Sequence, residues 1–117
     1  MKGVKVPLQA RQGKTFERSL RFMDKNKNII KLTGFKGRMH VRSDIDDEDT
    51  VIELTTENGR IEIDGELGKV VLKISAEDME AIEADNYIYD LELISPDGRV
   101  YGPVIPSAFK VAPEVTR

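Results

Sequence analysis

Gly13-Lys14-Thr15 carries the residue types that end a phosphate-binding loop. That loop needs a further Gly five residues before its second Gly, and position 8 is Leu8. It also needs a helix to follow, whereas Phe16, Leu20 and Phe22 fall on one face of an extended chain, with Arg18 at the same parity. The spacing therefore argues against nucleotide binding. His40 is the sole histidine, and the chain has no cysteine. Arg38 and Arg42 share its strand face, so a metal there meets cations before ligands. One histidine inside a basic strand offers no Ser/His/Asp arrangement, and a surface histidine is the simpler reading. Asp44, Asp46, Asp47, Glu48 and Asp49 supply oxygens of the kind calcium takes. A helix-loop-helix calcium site spaces its acids around a mid-loop Gly, and this run has none. A solvated acidic loop fits better.

Lys36, Arg38, His40 and Arg42 alternate, so they project from one face of a strand. Cations in a row suit phosphates, but no aromatic interleaves to stack a base. The alternative is that acids from later strands, such as Glu53 or Glu92, lie across from them in a sheet. The formal net charge of -3 favours this alternative over nucleic acid. Residues 1–43 hold 12 Lys/Arg against 2 acids, and residues 44–117 hold 6 against 19. Such polarity suits halves that attract each other or copies that stack head to tail. The candidate interface is accordingly Lys36, Arg38, His40, Arg42, Asp44, Asp46, Asp47 and Asp49. Tyr87 and Tyr89 could line a sugar site, but their period of two in the most apolar strand assigns them to the core.

These residues are positioned by a chain that reads as short strands. In 85–94, Tyr87, Tyr89, Leu91 and Leu93 occupy one face and Ile88, Asp90, Glu92 and Ile94 the other. That is a central strand with one face on the core. Val4, Val6 and Leu8 predict a first strand, followed by a polar stretch over 9–14. Residues 24–28 predict a hairpin connection, after which Ile29, Ile30 and Leu32 resume a strand. Phe35, Gly37, Met39 and Val41 form the inward stripe opposite the basic row. Strands over 51–54, at Ile61 and Ile63, and over 69–74 follow, with a turn at Glu57-Asn58-Gly59. Ser75 can cap a helix of about two turns, with Asp78 in the capping-box position and Met79 and Ile82 pinning it. Ser95-Pro96-Asp97-Gly98 is a turn. Segments 100–105 and 108–111 close the sheet, and Pro103, Pro106 and Pro113 predict an edge strand or irregular chain there.

The chain's 117 residues suit one domain spanning 1–117, and 39% hydrophobic content suffices for one core. Absence of cysteine excludes disulfides, thiolate metal sites and thiol nucleophiles, and fits a reducing compartment. Residues 1–7 lack a long apolar stretch, which reads as no signal peptide, and no apolar run is long enough to span a bilayer. Many short strands between turns predict an all-β fold: an immunoglobulin-like antiparallel β-sandwich of about seven to nine short strands with one short helical connection.

Asp85-Asn86-Tyr87-Ile88-Tyr89 resembles the Asp-x-Gly/Ala-x-Tyr-x-Cys segment of immunoglobulin-like strands. Tyr87 stands where a small residue is usual and the chain has no Trp, so the kinship is with the architecture, not with antibody domains. A wider match runs through Gly13-Lys14-Thr15-Phe16, Leu32-Thr33-Gly34-Phe35 and Gly68-Lys69-Val70. It continues through Ser75-Ala76-Glu77-Asp78, Tyr87-Ile88-Tyr89-Asp90-Leu91-Glu92-Leu93 and Val115-Thr116-Arg117. In this order the segments resemble small immunoglobulin-like proteins of tailed bacteriophages, including the N-terminal domain of siphophage baseplate upper proteins. The family's Gly-rich turn before the last strand is present only in part, as Gly102-Pro103. The resemblance implies a virion or prophage structural component, made in the bacterial host cytoplasm, with no catalytic residues and no cofactor. Its partners would be other phage structural proteins or further copies of itself, in a ring or a head-to-tail oligomer. A glycan- or ligand-binding module is the alternative, and an enzyme lacks both a nucleophile–base pair and a metal set.

Overall fold

The computed structural model describes residues 2–115, so Thr116 and Arg117, which close the last matched segment, lie outside the described residues. Eight strands and one helix are formed among them: β1 (Leu8–Arg11), β2 (Phe16–Arg21), β3 (Lys36–Arg42), β4 (Ile52–Thr55), β5 (Ile61–Asp64), β6 (Lys69–Ile74), α1 (Ala76–Glu80), β7 (Asp85–Ile94) and β8 (Val100–Ala112). A five-stranded sheet in the order β1-β8-β7-β3-β4 faces a three-stranded sheet in the order β2-β6-β5. The result is an immunoglobulin-like β-sandwich, all-β apart from one helical turn. Every pair is antiparallel except β1 with β8, which runs parallel.

β7 lies at the middle of the larger sheet, paired with β8 and β3. Its alternation sorts as expected: Tyr89, Leu91 and Leu93 are buried, Tyr87 is half-buried, and Ile88 to Ile94 on the other parity are partly covered. Met39 and Val41 from β3 and Leu72 and Ile74 from β6 complete the interior, with Phe16 and Phe109 stacked edge to face at 5.4 Å. Gly37 belongs to the same inward stripe. A Cβ there would stand 3.2 Å from the Ile61 side chain on the opposing sheet, so a small residue lets the sheets close at that point.

Tyr89 fastens the chain's first segment to this core. Its hydroxyl donates to the Val6 carbonyl, and the Val6 amide donates to Ser107 Oγ at 3.0 Å. Burial pushes the Tyr89 hydroxyl up to about 12 from its ordinary value of 10.0. The capping expectation also holds: Ser75 Oγ accepts from the Asp78 amide at 3.1 Å, and Met79 and Ile82 are buried.

Three local expectations are corrected. The first strand is β1, at 8–11, while Val4 makes only an isolated bridge to Val104. β1 is an edge strand whose ladder uses backbone groups, so Gln9 and Arg11 need no apolar partner. Residues 29–32 form no strand beyond a bridge between Met23 and Ile29, although Leu32 is buried and its amide reaches the Gly65 carbonyl. The closing segment is not an edge: β8 is continuous for 13 residues and lies between β1 and β7. Its prolines are accommodated by two register shifts. Tyr89 pairs with Ser107, Leu91 with Val104 and Leu93 with Tyr101, so each interval holds an extra β8 residue. Pro106 falls in one interval and Pro103 in the other, where a missing N–H breaks no ladder bond.

Candidate functional site

The outward face of the larger sheet carries the basic row. β3 buries Gly37, Met39 and Val41, so Lys36, Arg38, His40 and Arg42 must point away from the core. Antiparallel pairing sets their neighbours: Glu92 of β7 opposite Arg38, Asp90 of β7 and Glu53 of β4 opposite His40, and Ile94 opposite Lys36. Arg38 Nε lies 2.7 Å from Glu92 Oε1, and His40 Nε2 lies 2.9 Å from Glu53 Oε2. The acids expected across from the row, Glu53 and Glu92, are therefore present in the sheet itself, opposite His40 and Arg38.

His40 is held on both sides. Arg42 Nη2 lies 3.1 Å from Nδ1, and a guanidinium can only donate, so Nδ1 is assigned as the acceptor. Nε2 then carries the hydrogen and donates it to Glu53. With both nitrogens engaged, the ring has no lone pair to offer a metal or a nucleophile. Arg42 Nη1 also donates to the Asp47 carbonyl at 2.8 Å and the Glu48 carbonyl at 2.7 Å, which fixes the acidic loop to the end of β3.

In that loop Asp44 Oδ1 accepts from the Asp46 amide at 3.1 Å, and the Asp47 amide donates to the Asp44 carbonyl. Residues 43–49 are exposed, so their carboxylates face solvent. The candidate interface residues thus divide. Lys36, Arg38, His40 and Arg42 lie in one row on β3, while Asp44, Asp46, Asp47 and Asp49 lie beyond its end, the loop being joined to the row through Arg42 and the Asp47 and Glu48 carbonyls. Among the described residues no cluster of three His, Cys, Asp or Glu is arranged to hold a metal ion.

A shallow pocket of about 120 Å³ opens beside the row, its lining including Asp90, His40, Arg42, Ile45 and Pro106. Burial first, and then Glu92, pushes the Asp90 carboxyl above the usual carboxylate range, against the opposing pull of His40 and Arg42. Sequence reading left Asp90, Ile45 and Pro106 out of the site. The register opposite His40 could have pointed to Asp90, but nothing local pointed to the other two.

The remaining sequence-level sites resolve plainly. Gly13 turns the chain at φ 77°, Lys14 pairs with Glu114 at 3.3 Å, and strand β2 follows where a phosphate loop would start a helix. Tyr87 donates its hydroxyl to the Glu83 carbonyl at 2.6 Å, and burial, with Asp85 and Glu83 nearby, raises it above its usual value. All seven aromatic residues are buried or half-buried, the half-buried Phe35 and Tyr101 lying with ring centroids 6.2 Å apart.

No protein-family model matches the chain, and no curated protein matches it. Among solved structures, CopC from Methylosinus trichosporium OB3b is similar at 12% identity, over 94% of this chain and 89% of that one, with a TM-score of 0.49. A likeness at that level carries no functional argument.

Proposed function

We propose that this protein is a non-enzymatic structural or assembly component of a bacteriophage or prophage tail or baseplate, acting through protein–protein contact. The observation that carries the reading is where charge is spent and where it is left. In the middle of the sheet face Arg38 and His40 are engaged by the cross-strand acids Glu92 and Glu53, and the loop after β3 holds five exposed carboxylates. A module that presents charge at its end while its central strand turns Tyr89, Leu91 and Leu93 into the interior suits docking better than reaction. The ordered series of short motifs, which resembles that of tailed-phage proteins, suggests the biological setting. Its place would be the virion, after synthesis in the host cytoplasm, with phage structural proteins or further copies as partners. No cofactor enters this reading.

Sequencing the genes on either side is the test. Flanking tail-assembly genes support the assignment, and flanking metabolic genes overturn it. The glycan-binding alternative has only the half-buried pair Phe35 and Tyr101 to rest on, and a glycan array that registers binding would revive it.

A further inference from the structure

β3 has a chemical polarity along its length. The acidic loop follows its C-terminal end, and β7, antiparallel to it, begins at that same end with Asp85, just after Glu83. At the N-terminal end of β3 three backbone segments adjoin. Gly65 packs on Thr33, where an added Cβ would lie 2.6 Å from its backbone, and Gly68 packs on the Phe22 and Ile30 carbonyls, with Ile29 Cγ2 beside it. Met23 bridges to Ile29 across the 24–28 turn. Met23, Ile29 and Leu67 are thereby gathered at one end, exposed by 50%, 46% and 41%. Around them stand Lys25 and Lys27, both exposed, and Lys31, exposed and paired with Glu66 at 3.7 Å. The opposite end offers the complement: Ile45, 61% exposed, set among Asp44, Asp46, Asp47, Glu48 and Asp49.

β8 with 13 residues needs about 40 Å at ~3.3 Å per residue, so the 43 Å dimension of the molecule lies along the strands and separates the two ends.

We infer that the acidic loop of one copy, with Ile45 as its apolar anchor, docks on the Met23, Ile29 and Leu67 patch of a second copy, where Lys25, Lys27 and Lys31 meet the loop carboxylates. This deepens the assembly reading above and rests on it. Two acidic ends repel each other, as do two basic ends, so the contact is heterologous and propagates head to tail into a ring or a filament. The charges are exposed, so salt weakens the contact.

Light-scattering mass measurement at low salt tests the inference with two variants. Lys25→Glu with Lys27→Glu spoils the patch and leaves the loop intact. Ile45→Ser with Asp46→Ser spoils the loop anchor, keeps Asp44 and Arg42 to hold its backbone, and leaves the patch intact. Each variant alone is expected to associate about tenfold or more weakly than wild type, as loss of a central anchor does. Circular dichroism checks that both remain folded. Mixed in equal amounts, the two variants retain one native contact between them and must form dimers that go no further. Variants that associate like wild type, or a mixture that stays monomeric, overturn the inference. If wild type nevertheless associates in a salt-dependent way, assembly stands and only this choice of surfaces fails. A wild type that never associates overturns the surfaces and self-assembly together, and the flanking genes still decide the tail assignment separately.

Discussion

Replacing Tyr89 with Phe isolates one hydroxyl in the middle of the fold. The ring stays: it is 2% exposed and packs edge-on to Phe109 at 6.1 Å, contacts that Phe reproduces. Only the hydrogen bond to the Val6 carbonyl is lost. A neutral hydrogen bond contributes about 1 kcal/mol net, rising toward ~3 kcal/mol when the abandoned partner is sealed from water. Val6 is only half-buried and water can reach it, so the cost is set near ~1 kcal/mol. With a urea slope of about 1–3 kcal/mol per molar, the midpoint at about pH 8 should fall by roughly 0.3–1 M. The pH dependence gives a second reading. The unfolded Tyr89 ionises near 10.0, whereas the folded one holds its proton up to about 12. The unfolded state therefore binds fewer protons in that window, and the stability of wild type falls as pH rises through it. Tyr89→Phe lacks this contribution, so the gap between the two proteins should close above pH 10 and invert by pH 12, the roughly 2 kcal/mol lost by wild type outweighing its ~1 kcal/mol advantage. Urea melts followed by circular dichroism measure both effects. Equal midpoints at about pH 8, with a gap that does not change with pH, would refute the placement of this hydroxyl against Val6.

Other perturbations have expected sizes. Leu91→Ala on β7, at 0% exposure, should cost about 2–5 kcal/mol in urea unfolding, since a cavity opens between the sheets. Ser75→Ala should cost about 1 kcal/mol by removing the acceptor for the Asp78 amide, read in the same melts, while Ser75→Asp should be nearly neutral. Arg38 and Glu92 side chains are 46% and 37% exposed, so a double-mutant cycle on the pair should give a coupling of only about 0.2–1 kcal/mol, reduced by salt. A coupling well above that range would mean the face is more sealed from water than it stands here.

The parts of this molecule that were legible in the sequence are those where period-two alternation meets a buried face. Tyr89, Leu91 and Leu93 could lie nowhere but inside, and the same logic turned Arg38 and His40 outward toward Glu92 and Glu53. Ser75 and Gly98 were legible because capping and positive φ are local requirements. What escaped depends on distant pairing. Pro103 and Pro106 signal an edge by themselves, and only the register of β7 shows that each sits at a bulge. Gln9 and Arg11 look like loop residues because β1 takes its stability from the β8 backbone. The apolar patch of Met23, Ile29 and Leu67 joins segments far apart in the chain, so no window of sequence contains it. The same holds for the pocket beside Asp90, whose lining draws Ile45 and Pro106 from distant segments.

Sedimentation of the wild-type chain across a concentration series, at low and at high salt, tests most directly whether its opposite ends attract. The predicted result is a mass that climbs above 13.2 kDa with concentration at low salt and returns to 13.2 kDa at high salt. A chain that stays at 13.2 kDa under both conditions, at every concentration reached, would contradict it.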